Sequence, residues 1–409
     1  MKNLLITLAI ICVSTGYAIG QKIVKTIKAD ITTASLESKL RFLASDELRG
    51  RDTGSPELDI AALYIAENFR AYGLKVPDGM ADYYQPVKLV ESSPVKKAVV
   101  ALGGNEAKKN DDILFLDGTD GDFKGELVFL NYGLESDFSC KDVKGKLVVA
   151  LPGDEITSGP REFLPLSSKK QKLAQKYGAI GLIELYKNAS TPWKLVVNAL
   201  SRSGMSLDTN EEDASEENSI FLAWLSDLDG KWENMVREGQ QSGRISIEGA
   251  GNKKIKSKNV IGWIEGKDPK KKKEFLVMTA HYDHVGVRVI APGQDSIFNG
   301  ARDNAIGVAT LLETAKLLSE NQPDYSVVFI ALTAEEKGLL GSQWYAENPI
   351  FPLEKTFFNF YTDGGGYNST EIATVIGLNR TGVTANLEIS VTPFGLKVTD
   401  DPAPEQNLF

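Results

Sequence analysis

Residues 325–334, YSVVFIALTA, form a nearly continuous apolar run. A strand of this kind offers no face to water and has to be covered on both sides. The fold therefore needs layers, with helices above and below a sheet, and the neighbouring sequence supplies them. EFLVMTA, 274–280, reads as a second buried strand and KTFFNFY, 355–361, as a third. Between the first two lies a helix from about Ala305 to Ser319, with Val308, Leu311, Leu312, Ala315 and Leu318 on one face. A further helix lies near Ser342. Strand alternating with helix argues for an α/β sheet. NVIGWIEG, 259–266, reads as another strand, joined to EFLVMTA by KDPKKKKE as a solvated hairpin tip.

The rest of the chain has a different texture. Its 409 residues leave room for roughly two or three domains. Leu36, Leu40 and Leu43 are spaced for a helix, and a second helix runs from Pro56 to about Tyr72, with Ser55 as its cap and Gly73 as its end. From about 111 to 250 short strand-like runs appear (ELVFLNY, KLVVALP, GLIELY, SIFLAWL), interrupted by a helix over 168–177. DTNEEDASEEN, 208–218, reads as a solvated acidic loop. We expect one discontinuous domain made of 21–110 and 251–409, with 111–250 inserted as a smaller, β-rich unit.

MKNLLITLAIICVSTGYAIGQ has the charge, short apolar run and small residues of a secretory signal, so residues 1–20 are set apart as a segment directing export to a periplasmic or extracellular space. That run is too short for a stable membrane anchor. With Cys12 in the signal, Cys140 stands alone and is expected to be a buried or semi-buried thiol. A net charge of -9 argues against a nucleic-acid partner, since phosphate binding needs a basic patch.

Chemistry gathers where the buried strands end. EFLVMTA is followed by His281 and Asp283, YSVVFIALTA by Glu335 and Glu336, and KTFFNFY by Asp363. In open α/β sheets, the carboxyl ends of strands form the ligand crevice. Asp303, in NGARDNAIG, precedes the amphipathic helix; Gly300 and Gly307 bracket it and permit an irregular backbone. One imidazole with several carboxylates suits Zn²⁺ or a similar divalent ion. An excess of carboxylates suggests two ions bridged at about 3.5–4 Å. Asp283 is placed to accept the other imidazole N–H and fix the tautomer. Of the paired glutamates, one can bind metal while the other acts as general base. The chain has two histidines, His281 and His284. Because they follow a strand and are not on a helix, His284 is read as a supporting polar residue and not as a ligand.

TAHYDHVG, NGARDNAIGVATLLETAKLL and FIALTAEEKGLLGS, in that order, resemble the three signatures of the M28 family of zinc peptidases. LRFLASDELRGRDTGSPELDIAALYIAENFRAYGL is similar to the segment that opens that catalytic domain. GELVFLNYG, DVKGKLVVALPGD and AQKYGAIGLIELY are similar to the protease-associated domain often inserted there. The resemblance implies a mixed sheet flanked by helices and two zinc ions. It implies His281, Asp303, Glu336 and Asp363 as metal ligands, Asp303 bridging, with Asp283 orienting His281. It also implies peptide hydrolysis at a free N-terminus by a metal-bound hydroxide, with Glu335 as general base and a peptide or protein as substrate.

Two departures bear on that reading. The family's usual Asn-x-Asp would put its ligand at Tyr361, whereas the aspartate here is Asp363. The family's last histidine follows a segment like DPAPEQNLF, where this sequence stops at Phe409; the intact central motifs read as truncation more than decay. An inactive binding module on this scaffold, or a carboxypeptidase or glutaminyl-cyclase-like enzyme, are the alternatives.

Overall fold

The computed structural model describes residues 25, 27, 30–118, 120–157, 159–201, 204–208, 220–239, 241–288, 291, 293–364 and 369–400, with position 161 described by its backbone alone. The signal-like segment 1–20 and nearly all of the acidic tract 208–218 lie outside these residues. The chain divides into two compact units, one of residues up to 87 and from 257 onward, the other of 88–256.

The first unit holds helices α1 (Thr33–Leu43) and α2 (Pro56–Ala71), the start of strand β1 (Tyr84–Ser93), the later part of strand β2 (Gly251–Ile264), strand β3 (Phe275–His281), helix α3 (Ile306–Glu320), strand β4 (Ser326–Leu332), helix α4 (Leu340–Glu347) and strand β5 (Thr356–Tyr361). Thr32 caps α1 by accepting the Ser35 N–H, and Ser55 caps α2 by accepting that of Leu58. The sheet order is β5-β3-β4-β2-β1. β4 is the buried centre: it runs parallel to β3 and antiparallel to β2, and β3 runs parallel to β5. Period-two alternation explains its composition. Val327, Phe329 and Ala331 face one core with Leu58, Ile65 and Phe69 of α2 and Leu311, Leu312 and Ala315 of α3. Val328, Ile330 and Leu332 face another with Ile261, Val277, Tyr345 and Phe351.

This order corrects the expected hairpin between NVIGWIEG and EFLVMTA. β4 lies between β2 and β3, so the lysine-rich segment joins strands that are not neighbours, and Lys271–Lys273 form a short 3-10 turn. Strand partners come from long-range pairing, which connection length alone does not reveal. A buried ion pair, Lys39–Glu313, ties α1 to α3.

In the second unit, Gly121–Phe129, Leu147–Ala150, Gly181–Tyr186 and Phe221–Ser226 run parallel, with antiparallel strands on both sides. Lys97–Leu102 pairs with Ser242–Glu248, which draws the boundary back from 111 to 88. The helix expected over 168–177 spans Pro160–Lys176. Pro160 sits at its first turn, and Pro165 breaks the pattern that would have revealed the earlier turns. Cys140 is exposed, not buried as expected, because it follows the short surface helix Glu135–Ser139. Among the described residues, no helix is long and apolar enough to cross a membrane.

Candidate metal centre

β3, β4 and β5 are parallel, so their carboxyl ends deliver side chains to one edge of the sheet. His281 closes β3 and is fully buried. Its Nε2 lies 3.0 Å from Asp303 Oδ1, 3.2 Å from Asp363 Oδ1 and 3.9 Å from Glu335 Oε2. Its Nδ1 lies 3.2 Å from the main-chain oxygen of Asp283. With Nδ1 donating its proton to that carbonyl, Nε2 points at the carboxylates; without a metal its own proton bridges to them, and a metal ion would take that proton's place.

The expected part played by Asp283 changes accordingly. Its carboxylate stands 3.8 Å from Nδ1, and the carbonyl of the same residue takes the orienting bond. The buried carboxylate instead accepts from Thr53 Oγ1 (3.1 Å), Glu335 N (3.1 Å) and Glu336 N (3.3 Å). The turn after β3 aims it at the neighbouring loop, where it fixes the backbone that carries both glutamates.

Asp303 sits in an extended turn (φ -126°, ψ 92°) ahead of α3. Gly300 opens that turn at φ +61°, where an added Cβ would lie 2.7 Å from Arg51 Nη2 and 2.7 Å from His284 Cδ2. At Gly307 an added Cβ would lie 2.1 Å from Asn304 Oδ1. Asp363, and not Tyr361, reaches His281: Tyr361 is 38% exposed, its ring centroid 6.4 Å from that of His281. On the other side of Asp303, His284 Nδ1 lies 2.5 Å from Glu336 Oε1.

The charges explain one another. Burial alone would lower the pKa of His281, but its bonds to Asp303 and Asp363 outweigh it and push the group up to about 10. The same bond to His281 holds the Asp303 carboxyl below the usual range. Burial, reinforced by the charges of Asp283, Asp363 and Glu336, pushes Glu335 up to about 7. Burial also pushes Asp283 up, against the pull of His281 and of its three donors.

Two positioning residues escaped the sequence reading. Arg51 is 1% exposed and donates to the carbonyls of Leu43, Tyr282 (2.8 Å), Asn299 (2.8 Å) and Gly300 (3.0 Å). It thus ties the end of α1 to the turns carrying His281 and Asp303. In sequence it lies in LRGRDTGS, a polar, turn-rich stretch between α1 and α2. Asn304, which follows Asp303 ahead of α3, is buried; its Nδ2 donates to Thr362 O (2.7 Å), and its Oδ1 accepts from Gly307 N (3.0 Å) and Gly364 N (3.2 Å). It joins the Asp303 turn to the loop that presents Asp363.

His281, Asp303 and Asp363 bring their ligand atoms within 4.8 Å of one another, and His284, Asp303 and Glu336 do the same. One imidazole nitrogen with carboxylate oxygens is a donor set that fits zinc. Residues 259–409 match the description of peptidase family M28. The chain carries a peptidase family M28 domain. Part of it is 39% identical over 108 residues to an aminopeptidase of Bacillus subtilis, covering 26% of this chain and 21% of that protein. It is also 35% identical over 94 residues to a probable zinc metalloprotease of Pyricularia oryzae, covering 23% of this chain and 18% of that protein. The alignments thus span about a fifth of the length of these relatives. The whole fold is similar to that of an aminopeptidase from Aneurinibacillus sp. strain AM-1, with TM-score 0.55 and 22% identity over 92% of this chain and 82% of that one. Beside the centre of the M28 domain, a cavity of about 910 Å³ is bordered by Glu335, Tyr361 and Asp363 and by apolar side chains that include Val277, Ile330 and Leu332.

Proposed function

We propose that this chain is an exported zinc-dependent aminopeptidase whose second unit is a protease-associated domain. The reading rests on one observation: His281 Nε2 faces Asp303 and Asp363, with Glu335 at 3.9 Å. His281, Asp303 and Asp363 would hold zinc, and Glu336 a second ion together with Asp303. Zinc bound there would polarise the scissile carbonyl and acidify a water.

The chain's own residues do the rest. Glu335, its backbone fixed by Asp283, takes the proton from the attacking water and returns it to the leaving amine. Asp283 holds the base in place through hydrogen bonds to two successive amides. Arg51 and Asn304 keep the ligand turns in register. The cavity beside Glu335 accommodates the substrate's first side chain, and the surrounding carboxylates attract its free ammonium group.

Turnover of leucyl-anilide, its N-acetylated form and a peptide blocked at the N-terminus but free at the C-terminus tests this reading. Only the first should be hydrolysed; cleavage of the third in preference to the first would point to a carboxypeptidase.

A further inference from the structure

Glu335 and Glu336 lie in the turn that joins β4 to α4, residues 333–339. The turn is bent hard at both ends. Ala334 and Leu339 take left-handed backbone conformations, at φ 55° and φ 61°, although neither is glycine. Such conformations persist only where the surroundings over-determine them. Asp283 supplies one restraint, through the amides of Glu335 and Glu336. A second is needed where the two stems of the turn meet.

Asn259 of β2, fully buried, fills that place. The backbone pairing of β2 with β4 runs from Ile264 opposite Val327 to Val260 opposite Ala331. One residue further the side chain of Asn259 takes over. Its Oδ1 accepts from Thr333 N (3.1 Å), and its Nδ2 donates to Gly341 O (3.0 Å) and Gln85 Oε1 (2.9 Å). One amide thus holds the end of β4 to the first turn of α4. The stems touch here: a Cβ on Gly341 would lie 2.1 Å from Thr333 O and 2.7 Å from Asn259 Oδ1. The Thr333 hydroxyl is paired with that of Ser257 at 2.5 Å, and Gln85 Nε2 donates to Asn348 O, at the far end of α4, at 2.7 Å. The bonds call for an amide, which carries an acceptor and two donors; a carboxylate offers acceptors alone and an aliphatic side chain neither.

We infer that Asn259 is a positioning residue for Glu335: its side-chain amide closes the stems of the turn that presents the base, while Asp283 holds the amides of the two glutamates. This deepens the aminopeptidase reading and rests on Glu335 as its base.

Asn259→Ala and Gln85→Ala, each in the full chain, are compared by hydrogen exchange without metal and by leucyl-anilide kinetics at saturating zinc. The first removes both stem bonds. The second removes buried bonds of the same network and leaves the stems closed. In Asn259→Ala, peptides covering 333–341 should exchange about tenfold faster, with those of α3 at parent rates. Its kcat should fall about 10–100-fold with KM little changed. Gln85→Ala should match the parent in both readouts. Asn259→Asp keeps the size and the acceptor for Thr333 N but loses both donors; it should loosen the turn likewise, and it stands in if the alanine variant does not fold. A turn that stays protected in the Asn259 variants, or a kcat that falls equally in Gln85→Ala, overturns the inference. A parent that does not cleave leucyl-anilide overturns the aminopeptidase reading instead; faster exchange of 333–341 in Asn259→Ala then still supports closure of the turn by Asn259.

Discussion

Arg51→Met removes a buried cation and leaves an apolar stem of similar length. Arg51 makes four bonds to carbonyls from three segments. Charge-assisted bonds contribute about 1.5–3 kcal/mol each, or about 6–12 kcal/mol in total. Burying the guanidinium costs several kcal/mol in return. That cost shows in Arg51 itself, whose pKa burial lowers to about 10 against the pull of Asp283, Asp303 and Glu336. The variant escapes the cost but strands carbonyls behind the His281 and Asp303 turns, so the net loss should be about 3–5 kcal/mol. Arg51→Lys keeps the charge, but a single nitrogen cannot span the same carbonyls; about half the loss should remain. Hydrogen exchange of peptides covering 282–307, followed through urea unfolding without metal, reads this turn region separately from the second unit. A Met variant within about 1 kcal/mol of the parent would refute the reasoning.

Asn304→Ala severs three bonds that join the Asp303 turn to the Asp363 loop, and zinc affinity should fall about 10–100-fold, as is usual when residues supporting metal ligands are removed; competition with a chromogenic chelator measures it. Lys39→Met leaves Glu313 charged and buried, and urea denaturation should show a loss of about 3–5 kcal/mol, largely recovered in Lys39→Met/Glu313→Leu. Leucyl-anilide should exceed glutamyl-anilide in kcat/KM by about tenfold or more, because the cavity is apolar and bordered by carboxylates; steady-state kinetics on the two substrates decides it.

The central layer could be read from sequence because β4 has apolar residues on both faces, and a strand buried twice leaves few alternatives. His281, Glu335 and Asp363 could be found because each stands where a buried strand ends. Strand order could not be read: nothing in KDPKKKKE says that β4 separates the strands it joins. Arg51 and Asn304 were hidden for a related reason. A guanidinium in a turn normally points to water, and an Asp-Asn before a helix normally caps it; the segments folded over these residues make them structural. The carboxylate of Asp283 was expected to orient the imidazole; the carbonyl of the same residue lies against Nδ1 instead, since a backbone carbonyl can orient a ring as well as a carboxylate can.

Glu335→Gln tests the central claim most directly, with bound zinc and leucyl-anilide turnover measured on the same samples. Gln keeps the shape and the backbone bond to Asp283 but cannot take a proton. The account expects zinc content equal to the parent and kcat lower by about 10²–10⁴-fold. A parent that binds no zinc, or a variant that turns over as fast as the parent, would contradict it.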